Sequence, residues 1–289
     1  TMFVRVQVAL CALMCGAALG DSKSWGRFPV PPRCNRRDIC QESKEYCRDW
    51  MQLNKAPEKF VVEYHMDKLV KQHPHQSSRG VVRIQVIREW APPFADRMFK
   101  LAQFRVAQGG AIYRAALNKT SGWVIQFGMN GLPEVDDCWA NQLISNETWS
   151  VHKPGNVKWM VSFSMGATTS PTDISSNPNC TATDYCAKGF SNEIYINMGN
   201  NSRLDAHDFA PFGYVIEDTR EVVNRIYQGY GEVADLCEAD HSRNYCHFDK
   251  DGKPLGVNMT RMNMKGEGRR YIRRNFPKIT MITKHVLGR

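Results

Sequence analysis

The residue types best able to do covalent or metal chemistry are all present in this chain of 289 residues, but not at the spacings such chemistry needs. Serine, histidine and aspartate are plentiful, yet no Gly-x-Ser-x-Gly elbow, no His-Glu-x-x-His and no glycine-rich phosphate loop occurs. Cys-x-x-Cys is absent and no histidine pair matches it, which leaves zinc without a ligand set. His65, His73 and His75 fall in or beside a polar stretch that reads as a solvated linker. Asp249-Lys250-Asp251-Gly252 opens like a calcium loop but lacks the closing glutamate, so Asp251-Gly252 is expected to be a hairpin turn. No metal and no cofactor is therefore expected. The cysteines are better assigned to disulfides than to nucleophilic work. What remains is a groove-type activity in which no covalent intermediate forms.

The N-terminus supports the disulfide assignment. Arg5 precedes the apolar run Val6 to Leu13, and Gly16, Ala17, Ala18 and Gly20 follow, the pattern of a secretory signal peptide over residues 1–20. Cys11 and Cys15 leave with it, and eight of the ten cysteines remain: Cys34, Cys40, Cys47, Cys138, Cys180, Cys186, Cys237 and Cys246. An even number behind a leader implies disulfides in an oxidising compartment, and eight cysteines allow about 105 pairings. The short loops Cys180/Cys186 and Cys237/Cys246 are the first pairs to try. Asn118, Asn146, Asn179, Asn200 and Asn258 all open N-glycosylation tripeptides. The expected location is the secretory pathway, either the endoplasmic reticulum lumen or outside the cell, with no stable membrane insertion once the leader is cut.

Composition agrees with an ordered protein. Hydrophobic residues make up 42% and charged residues 23%, which sets disorder aside. The formal charge of +9 is spread along the chain and reads as a solvated basic surface, not a nucleic-acid footprint. Its tightest run, Arg269-Arg270-Tyr271-Ile272-Arg273-Arg274, suits the exposed side of a short helix. A monomer is expected.

The elements that must position a site follow in order. Residues 21–79 read as an extension, with a helix from Asp38 to Leu53 capped by Asp38 and carrying Cys40 and Cys47 on similar faces, then a linker over 71–80. Val82, Ile84 and Val86 alternate with Arg83 and Gln85 as a half-buried strand. Pro92-Pro93 open a helix whose apolar face holds Phe94, Met98 and Leu101. Glu193 to Asn197 is a β-branched and aromatic run, followed by a polar turn and the apolar segment Phe209 to Ile216. Thr219 to Gly229 reads as an amphipathic helix. Polar stretches at about 167–188 and 231–265 read as insertions, leaving a tail at 284–289.

The order Glu193-Ile194-Tyr195-Ile196-Asn197, Arg203-Leu204-Asp205 and Phe209-Ala210-Pro211-Phe212-Gly213-Tyr214-Val215 resembles the cyclophilins, in a divergent form similar to their bacterial and secreted branch. Ile112-Tyr113-Arg114 resembles the family's Phe-x-Arg, and Trp123-Val124-Ile125-Gln126-Phe127-Gly128 its Phe-Met-x-Gln-x-Gly. Val161-Ser162-Phe163-Ser164-Met165-Gly166 and Tyr271 to Lys278 match further segments, so the likeness runs over about 80–283. It implies a mainly β fold: a closed eight-stranded antiparallel barrel capped by two helices, here with a helical extension and disulfide-bearing insertions. It also implies peptidyl-prolyl cis-trans isomerase activity.

Prolyl isomerisation fits a site with no nucleophile. Rotation about an amide crosses a barrier of about 18–20 kcal/mol, and unaided X-Pro turnover takes tens of seconds or more. Catalysis needs an apolar pocket for the ring and a fixed donor that favours the twisted amide. The resemblance implies Arg114 as that donor, Gln126 as the holder of Arg114 or of the substrate backbone, and Trp123, Val124, Tyr195, Leu204 and Phe209 as pocket, with Ser164, Met165, Glu193 and Arg203 at the rim. The departures are specific. Residues 115–122 form a longer turn without the family's proline; Glu193 replaces glutamine and could pair with Arg114; Tyr195 adds a hydroxyl; Arg203 stands where some members carry the cyclosporin-contacting tryptophan. Two readings stay open: an isomerase acting on proline-containing segments of client proteins, and a catalytically weak cyclophilin-like module that binds an extended peptide.

Overall fold

Alternating buried apolar residues, aliphatic and aromatic, give eight strands: β1 (Lys59–Asp67), β2 (Gly80–Ile87), β3 (Arg114–Leu117), β4 (Gly122–Phe127), β5 (Met160–Met165), β6 (Phe190–Asn197), β7 (Pro211–Val215) and β8 (Met281–Leu287). They form one antiparallel sheet in the order β3-β4-β6-β5-β7-β2-β1-β8. The structure is a computed structural model; it describes residues 34–41, 55–117, 122–140, 154–165, 190–207 and 209–288, with single positions at 45, 47, 49, 142 and 144. The described residues all belong to one unit, Val30–Gly288.

Register explains the core. Val62 faces Ile84 and Tyr64 faces Val82 across β1–β2, so Val62, Tyr64, Val82 and Ile84 share the buried face. A helix α1 (Pro92–Gln103) begins at its two prolines and packs Phe94, Met98 and Leu101 into that core. Rings fill the interior edge to face: Phe94 meets Phe163 at 5.1 Å, Tyr64 meets Phe127 at 5.0 Å, and His285 stacks on Tyr64 at 4.4 Å. The other helices whose bounds lie among the described residues are short: α2 (Pro133–Ala140), α3 (Arg220–Asn224), α4 (Ala234–Ala239), α5 (Met259–Met262) and α6 (Gly268–Asn275). In α6, Arg270, Arg273 and Arg274 are exposed as expected of the basic run, while Tyr271 and Ile272 within it are buried.

Several expectations are corrected. The sheet is a curled half-barrel, not a closed barrel: β3 and β8 share no ladder, and the edges meet only through the preceding turn, at the Ala111–Met281 bridge. The reason is that Ala115 in β3 donates instead to the carbonyl of Gly231, so the insertion covers that edge. The sheet begins at Lys59, not near residue 80, and the expected linker is the β1–β2 connection. The expected tail at 284–289 supplies most of β8. The helix expected over Thr219–Gly229 stops at Asn224, where Arg225 turns to donate to Val222. Asp38 is not a helix N-cap; its carboxylate accepts from the Asn35 amide and closes a 3-10 turn at Asp38–Cys40.

Three disulfides are described: Cys34–Cys47, Cys40–Cys138 and Cys237–Cys246. The last is the short loop expected; the second clips the extension onto α2. The leader at 1–20, Cys180, Cys186, Asn118, Asn146 and Asn179 lie outside the described residues. Asn200 is exposed, and Asn258 caps α5 by accepting from the Arg261 amide.

The buried histidine makes the fold acid-sensitive. His285 is 1% exposed, accepts from the Ala107 amide through Nδ1, and has no partner at Nε2. Burial pulls its pKa down from 6.5 to about 3. Below about pH 6.5 the unfolded chain takes a proton that the folded chain refuses, so stability falls by about 1.4 kcal/mol per pH unit until about pH 3. Buried Asp136 and Glu193, whose carboxyls are pushed up, act in the opposite sense, so the comparison must be with a variant. Denaturant melts from pH 7 to 4 should show a shallower acid loss for His285→Asn than for the wild type. Equal slopes would remove this account.

Candidate functional site

The outer face of β3, β4, β6 and β5 carries the residues singled out for chemistry. Arg114 lies opposite Gln126, Gln126 opposite Tyr195, and Tyr195 opposite Ser162, so strand pairing sets them in one row. Alternation places Val124, Glu193 and Ser164 on the same face, one step along. The inner face of β4 and β6 is Ile125, Phe127, Ile194 and Ile196, all buried. The outer face is buried too: Val124 is 2% exposed, Tyr195 3%, Glu193 6% and Gln126 7%. Polar groups there must find partners.

They do so as a chain. The Tyr113 hydroxyl donates to Glu193 Oε2 at 2.7 Å, and Gln126 Nε2 donates to the same oxygen at 2.8 Å and to Ser164 Oγ at 3.0 Å. Those bonds fix the amide, so Gln126 Oε1 faces Arg114 and accepts from Nη1 at 2.9 Å. On its other side Arg114 meets Glu232: Nη2 donates to Oε2 at 2.7 Å, and Nε stands 2.5 Å from Oε1. Burial pushes the Glu193 carboxyl up, while the bonds from Tyr113 and Gln126 and the nearby Arg114 pull it back. The expectation that Glu193 pairs with Arg114 is thus corrected. Glu193 reaches the arginine only through Gln126, and the ion-pair partner comes from the insertion.

A second network holds the far wall. The Tyr195 hydroxyl donates to Asn156 Oδ1 at 2.9 Å, and burial raises its pKa further above the ordinary tyrosine value. Asn156 Nδ2 donates to Asp205 at 2.7 Å and to the Phe209 carbonyl at 2.6 Å. Asn197 donates to Asn156 at 3.1 Å, and Asn201 donates to Asn197 and to the Trp123 carbonyl, each at 2.8 Å. These amides pin the 3-10 segment Ser202–His207 to the ends of β4 and β6. Leu204 is half-buried there, and the Phe209 ring lies 6.2 Å from Tyr195. Arg203, itself exposed, lays its guanidinium over the Trp123 ring at 3.6 Å.

Of the residues the sequence singles out, Arg114, Gln126, Ser164, Glu193 and Tyr195 share one network or one row, Phe209 adjoins Tyr195, and Leu204 accepts from the Phe209 amide. Trp123 falls in the other register from Val124 and flanks the row at the start of β4. The Met165 side chain lies outside what is described. Sequence reasoning missed Glu232, Tyr113 and the asparagine ladder. Asn156, Asn197 and Asn201 carry a usable signal, since buried amides inside or beside strands need partners.

No family model matches this chain, and no curated protein does. Solved structures that are similar include a Cryptosporidium parvum cyclophilin-type peptidyl-prolyl cis-trans isomerase, at TM-score 0.42 and 11% identity over 80% of this chain and 98% of that one. A structure of that protein in the presence of the dipeptide Ala-Pro gives 0.42 and 12%, over 79% and 99%. The Mimivirus cyclophilin gives 0.41 and 11%, over 82% and 92%.

The ladder predicts its own test. Asn156→Ala leaves Tyr195, Asn197 and the Phe209 carbonyl short of a partner, and should lower the unfolding free energy by about 2–3 kcal/mol. Hydrogen exchange at Asn201, Leu204 and Phe209 should quicken more than exchange in β1 and β2. Uniform protection would show that the ladder does not hold this wall.

Proposed function

We propose that the outer face of β3, β4 and β6 binds an extended Xaa-Pro segment and catalyses cis–trans rotation about its amide bond, as a cyclophilin-type prolyl isomerase. The observation that carries this reading is the state of Arg114. Its guanidinium is anchored on two sides, by Glu232 and by Gln126, yet its side chain stays 16% exposed. Each terminal nitrogen retains one N–H beyond those bonds. A guanidinium that cannot swing is a preorganised donor, and it loses little freedom when charge shifts in the reacting amide.

The physical sequence is short. The proline ring packs against Tyr195, Phe209 and Leu204, with Val124 beneath and Trp123 beside it. As the amide twists, conjugation breaks and the ring nitrogen recovers its lone pair, which accepts from Arg114. No bond to the protein forms, so no nucleophile is needed. Clients are proline-containing segments of proteins in the secretory route, for which the leader-like N-terminus and three disulfides are the supporting observations. The protein acts there as a monomer.

A second reading, a peptide-binding module with little turnover, is favoured by the carboxylate of Glu232 that offsets the Arg114 charge.

Protease-coupled or NMR-exchange assays on an Xaa-Pro peptide separate the two. Arg114→Ala should reduce turnover by about a hundredfold or more, and Arg114→Lys should not restore it, because a lysine cannot keep both anchors and still donate. Wild-type protein that is folded, binds the peptide and leaves its exchange rate unchanged would favour the module.

A further inference from the structure

The insertion that follows α3 does more than cover a sheet edge. Gly231 accepts from Ala115, the residue after Arg114, and its neighbour Glu232 turns into the site with 4% side-chain exposure. Two contacts fix the Glu232 backbone. Its amide donates to the Tyr245 carbonyl at 3.0 Å. Tyr245, held at φ 74, directly precedes Cys246, which is bonded to Cys237. Gly256 passes so close that a Cβ there would sit 1.9 Å from the Glu232 carbonyl oxygen, which only glycine permits. The carboxylate is itself aimed, since Oε1 accepts from the Val233 amide at 2.8 Å.

We infer that Glu232 is the positioning residue that sets the direction of Arg114, and that the loop stapled by Cys237–Cys246 holds Glu232 in place. The inference rests on reading the Arg114 face as an isomerase site. Gln126 anchors one terminal nitrogen only, which leaves the guanidinium free to turn about that contact. Glu232 engages the opposite edge through a hydrogen bond from Nη2 and an ion-pair contact at Nε, and together these remove that freedom. The staple acts one step further back: it fixes the carbonyl that receives the Glu232 amide. One covalent bond outside the groove thereby governs the aim of the arginine inside it.

The test uses the full chain with its other disulfides intact and three variants: Glu232→Gln, the pair Cys237→Ser/Cys246→Ser, and the combination. Two readouts are taken, the exchange with water of the Arg114 Nε proton by NMR, and kcat with KM on an Xaa-Pro peptide. Glu232→Gln should speed Nε exchange and lower kcat ten- to hundredfold while KM stays within about twofold. The cysteine pair should shift both readouts in the same direction but less, and the combination should be no worse than Glu232→Gln alone, because the staple works through the carboxylate. Additive losses, a change in KM alone, or Nε exchange unaltered in Glu232→Gln would overturn the inference. Should Glu232→Gln not fold, Glu232→Asp, which keeps the charge and shortens the reach, takes its place with the same expectations. If the wild type turns over no peptide, the isomerase reading fails, while Nε exchange still decides whether Glu232 and its loop hold the arginine.

Discussion

The structure depends on a largely buried ion pair. Arg114 is 16% exposed and Glu232 4%, in a setting where an unpaired charge costs several kcal/mol. Such a pair is tolerable only if its geometry is good and its remaining donors and acceptors are satisfied. The fold meets part of this by placing Gln126 on the free side of the guanidinium and the Val233 amide on the carboxylate, while buried Nε stands in ion-pair contact with Glu232 without a hydrogen bond of its own. Everything nearby follows from that demand. Gln126 must present its oxygen to Arg114, so its nitrogen must be received by Ser164 and Glu193, and Glu193 in turn takes the Tyr113 hydroxyl. The insertion must return to the β3 edge, because its carboxylate has no other route to the arginine.

That demand also accounts for the sheet. A two-faced sheet usually buries one side and wets the other. Here β4 and β6 are buried on both, with aliphatic and aromatic side chains inward and a polar network outward. The outer layer is held by amides and carboxylates at fixed angles, not by close-packed hydrocarbon. It is therefore stiff in orientation, which suits a site whose donor must not turn. The open seam between β3 and β8 is consistent with this: the β3 edge is committed to the insertion, and only the turn before it reaches β8.

How much of this the sequence made legible follows from the range of the forces involved. Strands with clean alternation, such as Val82, Ile84 and Val86, and a helix opened by Pro92-Pro93 are set by local patterns and are readable. Arg114 and Gln126, twelve residues apart, are readable as a motif. Their partner Glu232, 118 residues beyond Arg114, is not, because nothing local distinguishes it from the other glutamates. The pairing of Cys40 with Cys138 spans 98 residues and is equally silent, whereas Cys237–Cys246 closes a loop short enough to guess. β1 was hidden for another reason: Lys59, Glu63, His65 and Asp67 face outward and give the strand a polar look, while Val62, Tyr64 and Met66 lie in the core. The helix expected after Thr219 failed because apolar periodicity does not say where tertiary contacts stop a helix.

Arg114, anchored by Glu232 and Gln126, is the proposed donor at a surface for proline-containing segments. The most direct measurement is a titration of the isotope-labelled protein with a short Xaa-Pro peptide, following the Arg114 side-chain nitrogens together with the Trp123 indole and the backbone of Tyr195 and Leu204. These signals should move together along one binding curve, and a matched peptide with alanine in place of proline should leave them still. Movement confined to other surfaces, or the same response to both peptides, would contradict it.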